Sequence, residues 1–412
     1  MEEWKTYKIG DICNIKHGFA FKGIYFSDSP QKYVCVTPGN FSIRGGFKND
    51  KPKYYCGPIP EDFVLKGDDL IVTMTDLSKA GDTLGFSALV PKDDSYVFLH
   101  NQRIGLIEDI SNSIDKHFLY WVMRTYDYQR YIVNHCSGST VKHTSPSGIG
   151  SYSFKCPSIQ EQKRIASILD NIDNKIALNN RINHNLEEQA QALYKSWFID
   201  FEPFKGGKFV ESELGMIPEG WSIATIESLS SRIASGGTPK SLDSSYYEGN
   251  IKWFTTKELK DCFLFDSEKH ISDTAVQNSA AKFFPTGSVL MAIYASPTVG
   301  RLGILTEPST FNQAAVAIIP QDNIGTEYVY MTLLSERDNL NNLASGAAQQ
   351  NLNVGIVKNY QVIRPADEII MSFKATAEPI FSAIRNNSKE IHALSALRDS
   401  LIPQLMSGLI TC

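Results

Sequence analysis

From Ile165 to Trp197 the apolar positions recur in alternating steps of four and three. The run is Ile165, Leu169, Ile172, Ile176, Asn179, Asn183, Leu186, Ala190, Leu193 and Trp197. A 3.5-residue spacing is the pattern of a coiled-coil seam. Pro157 stands just ahead of the run and Glu161 falls in its first turn, where fixed φ and negative charge suit a helix start. At 1.5 Å per residue, roughly 38 residues span roughly 57 Å. One small globule cannot cover so long a stripe, so the pattern predicts a helical partner of similar length.

The chain supplies that partner. Shifted by 208 residues, the seam falls on Phe373, Ala377, Ile380, Ile384, Asn387, Ile391, Leu394, Arg398, Leu401 and Leu405, and eight of the ten are apolar. Asn387 falls on Asn179 and Pro365 on Pro157. Upstream the offset drifts: Asn101 and Gln102 match Asn312 and Gln313 at 211, Trp4 matches Trp221 at 217, and Gly67 matches Gly287 at 220. Such drift records insertions and deletions, which loops tolerate and packed seams do not. The predicted order is a globule over 1–156, a spacer helix over 157–199, a connector over 200–220, a second globule over 221–364 and a second spacer helix over 365–412. The helices should pair antiparallel and bring Asn179 against Asn387 at their midpoints. An asparagine at a seam position costs stability and fixes register. Pro379 should kink the second helix or mark its true start.

Within the globules, "DDLIVTM" and "SVLMAIY" read as strands, "AAVAIIP" as a buried strand ended by Pro320, and Asp115 to Val133 as one helix with an aromatic face. The fold class expected is mixed α+β: two globules in a pseudo-two-fold repeat, joined by two long antiparallel coiled-coil helices.

Composition narrows the function. The formal net charge of −5 counts against a free-standing, non-specific nucleic-acid binder. No apolar run is long enough to span a membrane, and the start "MEEWKTYKIG" lacks a signal-peptide pattern. Seven scattered cysteines without a CxxC pair suggest reduced thiols and a cytoplasmic protein. No phosphate-binding GxxxxGK[ST], no dinucleotide fingerprint, no HExxH and no zinc spacing is present. His135 with His143 and Cys136 with Cys156 are better read as loop histidines and buried thiols than as metal ligands. Nothing fixes Asp94, Ser95 and His100 as a triad. A binding or scaffolding role is expected, with no catalytic residue and no cofactor held by this chain.

Two similar globules on antiparallel helices suit duplex DNA, whose backbone also has two-fold symmetry, and two different globules would read two different half-sites. The chain resembles the specificity subunits of type I restriction–modification systems. The resemblance lies in "PSIQEQKRIASILDNIDNKI" followed by "LEEQAQALYKSWFIDFEPF", in "WSIATIESL" with "SGGTPK", in "FNQA", and in "SGAAQQNLN" before the second helix. It implies two target-recognition domains reading a bipartite double-stranded DNA sequence. It also implies a helical spacer that docks two methyltransferase subunits, with restriction subunits added for cleavage. S-adenosylmethionine, ATP and magnesium then belong to those partners. The competing reading is a non-catalytic protein-interaction adaptor, which the acidic balance favours.

Arginine and lysine suit guanine in the major groove, asparagine and glutamine suit adenine, and many such side chains contact phosphates instead. The candidates in the first globule are Arg44, Lys48, Lys51 and Lys53 around a glycine pair, Lys79 in "LSKAGD", and Lys142 and His143 in "SGSTVKHTSPSG". In the second globule they are Lys240 in "SGGTPK", Arg301 in "SPTVGRLG", and Gln349, Gln350 and Asn351 in "SGAAQQNLN". The Asn-Gln pairs at 101–102 and 312–313 recur in halves that should read different sequences, which favours a shared backbone role for them.

Overall fold

The computed structural model describes residues 4–76, 78, 80–240, 243–294, 297–344 and 351–410. The chain divides into two compact units. The first is Met1–Lys175 with Leu394–Cys412, and the second is Ile176–Ala393.

The two long patterns are helices Ile159–Phe198 and Asp367–Met406, each of 40 residues. Every one of the twenty seam positions is buried or half-buried. In the first unit Ile165 and Leu169 share a core with Leu405, and Leu401 packs against it. In the second unit Ala190, Tyr194 and Phe198 share a core with Phe373, Ala377 and Phe381. The start of one helix thus meets the end of the other, so the pair is antiparallel. The register differs from expectation by about one turn. Asn387 Nδ2 donates to Asn183 Oδ1 at 3.0 Å, while Asn179 Nδ2 donates to Glu390 at 2.7 Å. Pro379 does not mark the helix start, because the helix begins at Asp367. Its ring lies on an exposed face.

In the first unit the main sheet has the order Asn14–His17, Ile104–Glu108, Leu70–Thr73, Ser87–Leu89, all antiparallel. Leu70–Thr73 is buried on both faces, which accounts for its continuous apolar run. A second sheet orders Phe26–Ser27, Tyr54–Tyr55, Tyr33–Val36 and Val97–His100, the last two parallel. Lys5–Lys8 pairs with Ser153–Cys156. The single helix expected over 115–133 is two, Lys116–Val122 and Tyr126–Asn134. Thr125 interrupts it: its hydroxyl donates to the Val122 carbonyl and accepts from the Tyr128 N–H, capping the second helix.

The second unit repeats this plan. Its main sheet runs Ser230–Ser235, Ala315–Pro320, Val289–Ala292, Leu302–Leu305, Cys262–Leu264, with the last pair parallel. A smaller sheet joins Lys269–Ile271, Ile251–Phe254 and Thr310–Phe311, and Ser222–Thr225 pairs with Gln361–Arg364. The connector is itself folded, as a short turn at Glu202–Phe204 and a hairpin of Phe209–Ser212 with Gly215–Pro218.

Candidate nucleic-acid interface

Each unit builds the same pair of loops at the end of one buried strand. In the first unit Leu70–Thr73 leads into a loop pinned by Asp76. Its carboxylate accepts from the N–H groups of Ser78 at 2.6 Å, Thr83 at 2.5 Å and Leu84 at 3.1 Å, and from the Thr83 hydroxyl at 2.8 Å. Burial alone would raise the Asp76 pKa; these donors outweigh it and hold the carboxyl below its ordinary value. The loop closes where the Gly85 N–H donates to the Thr73 carbonyl at 2.9 Å. Gly85 sits at φ +78°, which glycine adopts without strain. The second loop arrives beside it: Lys142–His143 pairs with Thr75–Asp76, and the Thr144 N–H donates to the Met74 carbonyl at 3.0 Å.

The second unit uses the same anchors. The Gly300 N–H donates to the Ala292 carbonyl at 2.9 Å with Gly300 at φ +82°, and the Leu352 N–H donates to the Ile293 carbonyl at 2.9 Å. Ser145 caps helix Pro146–Gly150, and Asn353 caps Val354–Asn359. The frame therefore fixes two loops per unit and leaves their side chains free to differ. Phe86 follows Gly85, whereas Arg301 follows Gly300.

The structure sorts the candidates accordingly. Lys142 and His143 lie together. Lys142 Nζ donates to the Ala80 carbonyl at 3.2 Å, and His143 Nδ1 is 3.0 Å from the Thr75 hydroxyl. Arg301 is half-buried and its carbonyl accepts from the Ala292 N–H at 2.9 Å, while Asn351 precedes Leu352; both thus flank the end of strand Val289–Ala292. Lys79, Gln349 and Gln350 lie outside the described residues. Lys240 is exposed at the end of a fixed turn. There the Gly237 carbonyl accepts from Trp253 Nε1 at 2.9 Å, and the Pro239 carbonyl accepts from the Tyr247 hydroxyl at 3.1 Å. Lys48, Lys51 and Lys53 are exposed on the segment entering Tyr54–Tyr55, in a different sheet.

Arg44 has another partner. Its guanidinium binds Asp399 on the second long helix, and its carbonyl accepts from Arg124 Nε at 2.8 Å. Asp76 escaped the sequence reading, although "TDLSKAGDT" carries the signal: an aspartate followed by small polar residues and glycine is a turn whose carboxylate bonds its own loop. Both repeated asparagines bond their own turns: Asn101 Oδ1 accepts from the Gln102 N–H at 2.8 Å, and Asn312 Oδ1 accepts from the Ala314 N–H at 3.2 Å. Gly18 and Gly236 pass so close to these turns that a Cβ would meet the Asn101 carbonyl at 2.0 Å and the Phe311 carbonyl at 2.2 Å.

Among the described residues no group of His, Cys, Asp and Glu could hold a metal, and no helix is long and apolar enough to cross a membrane. His135 Nδ1 lies 2.8 Å from the Tyr131 carbonyl, and burial pushes the Cys156 thiol up to about 12.

A family model, the type I restriction modification DNA specificity domain, matches residues 1–188 and again 218–390. The specificity subunit of the type I restriction enzyme HindI, from Haemophilus influenzae, is 26% identical over 99% of this chain and 100% of its own length. The specificity subunit of MjaIX, from Methanocaldococcus jannaschii, is 26% identical over 79% of this chain and 71% of its own. The crystal structure of a type I restriction–modification S subunit from M. genitalium shares the fold, with TM-score 0.61 and 14% identity over 98% of this chain and 96% of that one. Two matches to one domain, together covering most of the chain, place it in the family of type I restriction–modification specificity subunits.

Proposed function

We propose that each unit reads one half of a bipartite double-stranded DNA target, and that the paired helices dock two methyltransferase subunits and set the gap between half-sites. Restriction subunits join for cleavage. In this reading the chain is not itself an enzyme. S-adenosylmethionine, ATP and magnesium belong to the partner subunits, and the assembly works in the cytoplasm. The supporting observation is the duplicated loop pair. Equivalent backbone anchors carry Lys142 and His143 in one unit and Arg301 and Asn351 in the other, as two readers of different half-sites require. The adaptor alternative gives no reason for duplicated anchors with unlike side chains.

Methylome sequencing of cells with and without the gene tests this. A bipartite motif should be methylated only when the gene is present. Arg301→Ala should relax one half-site and spare the other, by about 1–3 kcal/mol if the contact is to a base. A contiguous motif, or equal loss at both half-sites, would overturn the reading.

The register of the helices specifies how to test the spacer. Contacting residue numbers add to about 570, so segment 174–180 faces 390–396. Removing both keeps Asp173 level with Arg398 and Asn183 level with Asn387, and it shortens the pair by about 10 Å. With DNA rising about 3.4 Å per base pair, the preferred gap should shrink by roughly three base pairs. Methylation of the original spacing by the shortened protein would assign the distance to the partner subunits instead.

A further inference from the structure

The two long helices are equivalent by repeat but not identical where they touch. In the first unit Asp173 Oδ1 accepts from Arg398 Nη1 at 2.7 Å, and Asp173 Oδ2 accepts from Arg124 Nη1 at 2.6 Å. The 208-residue shift turns Asp173 into Phe381 and Arg398 into Ala190. Phe381 and Ala190 are both buried in the second unit's core. One layer of the pair is therefore an aspartate against an arginine, and its repeat-related layer is an alanine against a phenylalanine. The asparagine layer is also unequal: Asn387 donates to Asn183, whose own repeat equivalent is Ile391.

We infer that these layers are a pairing code by which each half of the chain selects the other half and not a copy of itself. At the observed register, two first helices would set Asp173 against Ala190 twice. The carboxylates would keep Arg124, which comes from the same half, and lose Arg398. Two second helices would set Arg398 against Phe381 twice and Asn387 against Ile391 twice. Each guanidinium would keep only the neighbouring Asp399, which it meets at 2.8 Å. Arg398 has a side-chain exposure of 15% and Asp173 of 24%, so neither charge can turn fully to water. Removing the partner of a buried charge is strongly unfavourable, whereas an apolar layer is indifferent to which helix supplies it. The penalty falls mainly on second–second pairing. The partner that fits is thus defined chemically: a helix offering a carboxylate level with Arg398 and an amide level with Asn387. This is the use of polar seam residues to exclude alternatives at some cost in stability.

The complete protein can test this once opened. Gly206 and Gly207 are exposed between the first long helix and the hairpin, so a protease site placed between them allows cleavage after folding. The opened protein, with halves distinguishable by mass, is unfolded, refolded and weighed by native mass spectrometry. First–second complexes should exceed like-with-like complexes by at least about tenfold, the ratio expected from one partly buried ion-pair layer. Arg398→Leu keeps the seam apolar and removes the charge that forbids second–second pairing, so the ratio should fall by about tenfold. Mixing opened protein with isotope-labelled opened protein, without denaturant, reports the same preference where refolding is incomplete. Equal abundances of like and unlike pairs in the unsubstituted protein, or a ratio unmoved by Arg398→Leu, would overturn the inference.

Discussion

The two units hold the same pair of helices with opposite chemistry. In the first, the globule grips them through charge. His117 Nδ1 lies 2.7 Å from one oxygen of Asp170, and Trp121 Nε1 donates to the other at 2.7 Å. Arg124 reaches Asp173 with its guanidinium stacked 4.2 Å from the Trp121 ring. In the second, the grip is aromatic. Phe198 lies 4.9 Å from Phe373, 5.1 Å from Tyr328 and 5.9 Å from Trp221, ring centre to ring centre, and the Tyr194 hydroxyl donates to Thr332 at 3.0 Å. One fold therefore admits two solutions to the same docking problem. They differ in what disturbs them: an aromatic joint responds to lost volume, an ionic one to lost charge and to pH.

The largest effect should come from the aromatic joint. Phe373 is fully buried among Tyr194, Trp197, Phe198 and Tyr328. Phe373→Ala should destabilise the second unit by about 3–5 kcal/mol. Hydrogen exchange resolved by segment would show the loss in 176–393 and little change in the first sheet. An equal loss in both units would mean that the joints are not independent.

Asp173 is the corresponding point of the ionic joint. Burial alone would raise its pKa, but Arg124 and Arg398 outweigh that and hold the carboxyl below its ordinary value. Asp173→Ala leaves two guanidinium groups without their shared carboxylate. Complete burial would cost about 3–5 kcal/mol, and the partial exposure here reduces that to about 2–3. Denaturant titration should show the loss, and Asp173→Asn should recover only a small part of it. Full recovery by asparagine would mean that shape, not charge, holds this joint.

These contrasts mark what the sequence disclosed and what it could not. The seam was legible because its period is a local property of the chain. Register was not fully legible. The repeat gives equivalence, and an antiparallel residue meets its own equivalent only where the two are level, near Arg181 and Lys389. Asn179 sits just off that level, so Asn387 finds Asn183. Arg398, a charge at a seam position, is explained only by Asp173 opposite it, 225 positions away. The paired loops showed their composition but not their anchors, because bonds such as Thr144 to Met74 join segments far apart in sequence.

The pH response of the ionic joint should be smaller. The Asp170 carboxylate, 2.7 Å away, raises the His117 pKa above 6.5, burial opposes the shift, and the charge of Asp68 adds to it while Lys116 subtracts. The folded-state pKa thus lies above the unfolded one, so the stabilisation is complete below about pH 6.5 and is lost as pH rises through the raised value. Thermal unfolding followed across that window should show the first unit weakening as pH increases. His117→Gln should remove that weakening and leave the opposite contribution of buried His100, whose pKa desolvation lowers. Weakening with rising pH that survives His117→Gln would assign the titration to another group.

The smallest effect should come from Arg44, and it separates structure from recognition. By sequence Arg44 is a loop arginine beside two glycines, well suited to DNA. In the fold it binds Asp399, with side-chain exposures of 66% and 27%. Exposed pairs contribute about 0–1 kcal/mol, so its loss should barely change stability. Arg44 lies at φ +69°, a conformation that asparagine tolerates better than alanine. Arg44→Asn therefore removes the ion pair without adding backbone strain. The backbone carbonyl that Arg124 uses is also retained. If Arg44 serves the joint, the variant should leave DNA affinity and its salt dependence unchanged. Lys142→Ala, in the anchored loop, should lower the salt slope by about one if the lysine meets a phosphate. Binding isotherms at several salt concentrations decide between the two. A salt slope that falls by about one for Arg44→Asn would return Arg44 to the DNA surface, and Asp399 would then be its partner only in the free protein.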